Sequence, residues 1–201
     1  LSDLLVFGNL SGIKATEYSK NIGSIPKVDD NDIRKIIQGA TSILLRENGN
    51  NPYLIHEELQ KNMQYNVGII RTKKEIENGI KEIDVLKSKF KDVKAPGSSQ
   101  FNPGWHEALA LRNLLISAES VAKSALIREE SRGAHTREDF PSEREEWIKY
   151  NIINKKGKDG KMETVKILRT NPDKELKRIA YSKLNELEKE VKIDHDKLKV
   201  S

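Results

Sequence analysis

The tightest restriction on this chain lies between Thr72 and Val93, where Ile76, Ile80, Ile83, Leu86, Phe90 and Val93 recur at steps of three and four. Only a helix of 3.6 residues per turn lines up such a series on one face. Thr72, with Glu75 three residues on, is the capping-box arrangement that starts one. A helix with one apolar stripe needs partners to bury it, and the flanking sequence supplies them. A helix is expected from about Asp32 to Glu47, with Ile33, Ile36, Ile37, Ala40, Ile43 and Leu44 on one side and Gly49, Asn50 and Asn51 ending it. Asn51 then caps a new start with Pro52 at its first position, followed by Tyr53, Ile55, Leu59 and Met63. The longest stretch follows Asn102 and Pro103 and runs from about Gly104 to Glu130; its alanines permit close helix approach. Like lengths and short connections predict a mainly α fold, an antiparallel three-helix bundle.

Composition agrees. Aromatic residues make up 5% and charged residues 33%, which suits helices more than sheets. The 36 basic residues are interleaved with 31 acids, so the net +5 describes a mixed solvated surface and no nucleic-acid partner is expected. With no cysteine, disulfides, thiolate metal sites and a cysteine nucleophile are excluded. His56 stands beside Glu57 and Glu58 without a second histidine at metal spacing, so no metal site is expected. No apolar run approaches the roughly 20 residues that cross a bilayer, which excludes direct insertion by a helix.

Outside the bundle, residues 1–12 read as a short apolar helix and 13–30 as a linker marked by Gly23 and Pro26. Starting on Leu1-Ser2-Asp3-Leu4-Leu5, in mid-motif, reads as a piece of a longer protein. After Pro141, Ser142 to Trp147 is expected to add one helical turn capped by Ser142. Ile148–Ile153 and Glu163–Leu168 are β-prone and flank Asp159-Gly160, a hairpin signal. Pro172 to Lys192 predicts a charged helix with Leu176, Ile179, Ala180, Leu184, Leu187 and Val191 on one side.

The stretch Arg128–Pro141, REESRGAHTREDFP, fits no hydrophobic period. It is either a solvated charged face or a network of ion pairs. Gly133 is placed where a helix end needs a residue free to take positive φ. Planar arginine forks suit carboxylates, so Arg132, His135, Arg137 and Asp139 are expected to form a hydrogen-bonded network that holds the loop after the long helix. None of the four is assigned to catalysis.

Four ordered tracts carry a resemblance: LSDLLVFG at 1–8, NPYLIHEELQKNMQYNVGIIR at 51–71, FNPGWHEALALRNLL at 101–115 and ESRGAHTREDFP at 130–141, with Trp147 after it. Together they resemble the C-terminal part of the flavoprotein subunit of succinate dehydrogenase and fumarate reductase. Residues beyond about 170 lie outside the resemblance.

The resemblance implies a spectrin-repeat-like bundle with a short β-hairpin and a C-terminal helix. Residues 1–30 would then be a remnant helix of the FAD-binding domain and its linker, 31–147 the helical bundle domain, and 148–201 the hairpin and helical extension. It implies FAD in the parent polypeptide, with Leu1 matching a residue that lies against the flavin ring, and no catalytic residue in this piece, which would be inactive alone. Implied partners are the chain's own FAD-binding domain and an iron–sulfur subunit, and through the latter a membrane anchor. The implied location is cytoplasmic, at the inner face of the cell membrane. L-aspartate oxidase usually continues Glu-Ser-Arg-Gly with Leu-His, so Gly133-Ala134-His135 points to the succinate and fumarate branch. A free-standing helical interaction module is the reading from a different class.

Overall fold

The computed structural model describes residues 2–190. Leu1, and the end of the expected C-terminal helix at Val191 and Lys192, lie outside the described residues. The chain is mainly helical: α1 Ser2–Asn21, α2 Asp30–Thr41, α3 Pro52–Asn66, β1 Ile70–Arg71, α4 Lys73–Phe90, α5 Pro103–Ile127, β2 Thr136–Arg137, β3 Tyr150–Lys156, β4 Met162–Leu168, α6 Lys174–Tyr181 and α7 Leu184–Glu190. Helices α3, α4 and α5 make the three-helix bundle, β3 and β4 the hairpin. Two compact units divide the chain, one of Leu1–Glu57 and Ser88–Asn113, the other of Glu58–Lys87 and Leu114–Ser201.

In the first unit, Ile43, Ile55, Val93, Ala95, Ala108 and Leu111 are buried. Asn51 is the cap expected from the sequence, with the Tyr53 N–H donating to it at 2.9 Å; at the start of α5 the Trp105 N–H donates to Asn102 at 2.9 Å. Gly49 has φ +151°, and a Cβ there would meet the Asp92 carbonyl oxygen at 2.1 Å, so only glycine fits. Two helix boundaries differ from expectation. Helix α1 runs through Gly8 and Gly12 to Asn21 instead of stopping near residue 12, because a helical glycine costs only about 1 kcal/mol and nothing crowds either one. It ends where Gly23 takes φ +69°. Helix α2 starts at Asp30 on an Asp29 cap and stops at Thr41 instead of near Glu47. There the Trp105 indole N–H takes the Ala40 carbonyl at 2.8 Å, and Thr41 and Ser42 bond back to carbonyls of their own helix. His56 pairs with Glu107 across 2.5 Å.

In the second unit, Leu59, Val67, Ile76, Ile83, Leu86, Leu115, Ala118, Ala122 and Ala125 form the core. Gly79 lets α4 approach α3, where Asn62 donates to the Gly79 carbonyl at 2.9 Å. The capping box is present: the Thr72 N–H donates to the Glu75 carboxylate at 2.7 Å and the Glu75 N–H to the Thr72 hydroxyl at 3.3 Å. Buried Glu119 is paired with Lys87 and Lys123. The hairpin turns at residues 157–161, with Gly160 at φ +79° and its strands in register from Tyr150↔Leu168 to Lys156↔Met162. Asn154 fastens it to α5, donating 2.8 Å bonds to the Ser120 and Ser124 hydroxyls and accepting from Thr164 at 2.6 Å.

Three further expectations in this unit are corrected. The turn before the hairpin is a 3-10 helix at Glu145–Lys149 that Ser142 does not cap; the Ser142 carbonyl accepts the Ser131 N–H instead. The single C-terminal helix is two, because Ser182 adopts an extended conformation between α6 and α7. Helix α5 ends at Ile127 rather than near Glu130, for a reason that lies in the charged stretch itself.

Candidate functional site

Three carbonyls at the end of α5 meet one side chain. Arg137 is fully buried, and its Nη1 donates to the carbonyls of Ala125, Leu126 and Arg128 at 2.8, 3.2 and 3.3 Å. These are among the last carbonyls of a helix, which have no partner within it and carry its negative dipole end, so a cation there satisfies both bonds and charge. The other edge of the same guanidinium donates two parallel bonds to Asp139, Nε and Nη2 each at 2.7 Å. Asp139 in turn accepts the N–H of Lys73, the first residue of α4, at 3.0 Å. One Arg-x-Asp thus joins the negative end of α5 to the positive end of α4. Strands β1 and β2 hold it in place, pairing Ile70 with Thr136 and Arg71 with Arg137 in parallel, and the Phe140 ring lies 5.0 Å from the guanidinium carbon.

Arg132 does not join that pair. It turns to Glu130, which is fully buried and accepts from Arg132 Nε and Nη2 at 3.0–3.2 Å, from Arg128 at 2.6 Å and from the Arg144 N–H at 3.0 Å. Arg132 also reaches Glu143 at 3.0 Å. Ser131 lies between the two clusters, accepting from the Arg137 N–H and donating to the Phe140 carbonyl, each at 2.8 Å. Gly133, with φ +59°, sits in a tight reversal where Arg132 and His135 exchange backbone bonds of 2.9 and 3.1 Å. It therefore serves this reversal and not the end of α5.

The electrostatics follow from these contacts. Burial alone would push the Glu130 carboxyl up; the bonds from Arg132, Arg144 and Arg128 outweigh it and hold it at about 2. The Arg137 guanidinium, against burial and with help from the Lys73 N–H, holds Asp139 at about 2. His135 is pushed down by burial and by the cations of Arg71, Arg137 and Arg128. Its Nε2 faces the Arg128 carbonyl at 3.1 Å, which requires the proton on that nitrogen.

Of the expected residues, Arg137 and Asp139 bond directly, Arg132 belongs to the Glu130 cluster, and His135 touches the others through backbone. Glu130 and Ser131 organise the loop, and no period or spacing separates them from Glu129 or Ser142 in sequence; the order Glu-Ser-Arg-Gly is the one signal that picks them out. Leu1, the residue expected against flavin, lies outside the described residues. The described residues do not fit a dinucleotide cradle: their parallel pairing is two residues long and leads into no glycine-rich strand-to-helix turn. Among the described residues no helix is long and apolar enough to cross a membrane.

The family model described as fumarate reductase flavoprotein C-term matches residues 56–192, more than half of the chain. A fumarate reductase (CoM/CoB) subunit of Methanothermobacter marburgensis is 35% identical over 78% of this chain and 28% of its own length. The succinate dehydrogenase flavoprotein subunit of Rickettsia conorii is 36% identical over 79% and 27%. The solved Sdh1 complex of Mycobacterium smegmatis superposes with TM-score 0.83 at 36% identity, covering 94% of this chain and 32% of that one. The chain therefore spans about a third or less of the proteins it resembles. It belongs to the family of succinate dehydrogenase and fumarate reductase flavoprotein subunits, matching their C-terminal region.

Proposed function

We propose that the chain is the C-terminal helical part of a flavoprotein that interconverts succinate and fumarate with FAD and passes electrons to an iron–sulfur subunit. Its own part is a brace and docking surface without catalytic residues. Residues 1–30 are a remnant of the FAD-binding domain and its linker, 31–147 the bundle domain and 148–201 the extension. The parent is cytoplasmic and held at the inner face of the cell membrane by partner subunits. The observation that carries this reading is the family match over 56–192, which includes the whole Arg137–Asp139 and Glu130 arrangement. The exposed apolar residues of α1, Leu4, Leu5 and Phe7 among them, support a covering domain. Leu1, the residue matched by resemblance to a flavin contact, directly precedes α1 in the sequence, and the free N–H groups at a helix start favour negative charge.

The test is to express the whole open reading frame and measure bound flavin and succinate-dependent dye reduction. Flavin content together with succinate oxidation or fumarate reduction is the expected result. Aspartate-dependent peroxide release without succinate oxidation would select L-aspartate oxidase, and a flavin-free protein inert toward dicarboxylates would overturn the proposal.

A further inference from the structure

Beside the charged loop, and within the second unit, α5 and β3 enclose an open cleft of about 610 Å³. Arg71, Arg128, His135, Ser120, Ser124 and Asn151 line its polar part, and no carboxylate lines it. The donors there are short of acceptors. Arg128, Arg132, Arg137 and Arg144 each hold a carboxylate, whereas the Arg71 guanidinium has no hydrogen-bond or ion-pair partner among the described residues. The Arg71 Nε is buried without a partner, an arrangement that costs free energy until an acceptor arrives. The hydroxyls of Ser120 and Ser124 accept from Asn154, so their own hydrogens remain to be donated. The remaining wall is aliphatic, with Val121, Ile152 and Ile153.

We propose that this cleft binds a carboxylate carried on an aliphatic stem, with Arg71 as its receptor. A planar fork with one uncompensated charge matches a planar monoanion better than a tetrahedral dianion, and the serine hydroxyls supply the next donors. The stem packs on Val121, Ile152 and Ile153. The carboxylate comes either from a free aliphatic acid or from an acidic side chain of another polypeptide segment.

Butyrate titrated into the protein, with the Arg71 Nε–H and the amides of 120–124 and 151–153 followed by NMR, is expected to give saturable shifts that weaken about tenfold or more in Arg71→Gln. A water-soluble carbodiimide applied to the Arg71→Lys protein in its native assembly then separates the sources. A cross-link mapped to position 71 assigns the carboxylate to a polypeptide, and butyrate saturation without a cross-link assigns it to a free acid. Three results overturn the proposal: sulfate binding as tightly as butyrate, saturation unchanged in Arg71→Gln, or neither saturation nor cross-link. The wild-type titration stands even if Arg71→Gln folds poorly.

Discussion

Arg137 shows how much one buried charge is asked to do. It meets three carbonyls, one carboxylate and an aromatic ring, with no exposed surface left. Removing one partner of a buried ion pair leaves the other uncompensated, so Arg137→Ala is expected to cost about 3–5 kcal/mol in urea unfolding. A loss under about 1 kcal/mol, the usual worth of a surface pair, would show that the guanidinium does not join the two helices. The sequence places Arg137 and Asp139 in the right stretch, since a planar fork two residues from a carboxylate suggests a pair. It does not show that Arg132 leaves them for Glu130, because that choice depends on the fold bringing the Arg144 backbone beside the same carboxylate.

At the scale of elements, the helices with caps and a clear period were legible. Asn51, Thr72 and Asn102 each mark a helix start that stands within a residue of the observed one. The ends were less so, because what stops α2 and α5 is a distant donor, Trp105 in one case and Arg137 in the other. The parallel pair β1–β2 is too short to leave a pattern, and Arg71 gains its significance only from it. The hairpin hangs on a polar anchor where an apolar one would be the ordinary expectation. Asn154 bridges Ser120 and Ser124 of α5 to Thr164 of β4. Asn154→Ala is therefore expected to speed amide exchange across 150–168 while leaving α3 and α4 protected. Equal protection in both proteins would mean that Trp147 and the backbone hold the hairpin without it.

For the molecule as a whole, the two carboxylates at about 2 set the response to acid. Their ordinary values are 4.5 and 3.8, so the unfolded chain binds more protons than the folded one as pH falls. His135 acts in the same direction: it is held neutral in the fold and takes a proton more readily once unfolded. Stability is thus complete above about pH 6.5, declines slightly as the unfolded histidine titrates, and falls steeply between about 4.5 and 2. A series of thermal melts from pH 7 to pH 2 checks this. A melting temperature flat to pH 3, or steeper loss in Glu130→Gln than in the wild type, would contradict it.

The Arg-x-Asp joint also fixes what lengths the chain can tolerate. One residue added to or deleted from α5 turns its terminal carbonyls by about 100° and moves them by about 1.5 Å. That would carry all three carbonyls away from Arg137 while Asp139 stayed on Lys73. Changes in length are expected to be tolerated better in the exposed loop 96–101 ahead of α5, or in the exposed hairpin turn at 158–161. Inside α5 the count is locked, so insertions and deletions that survive in related chains should cluster in the loops and spare this helix.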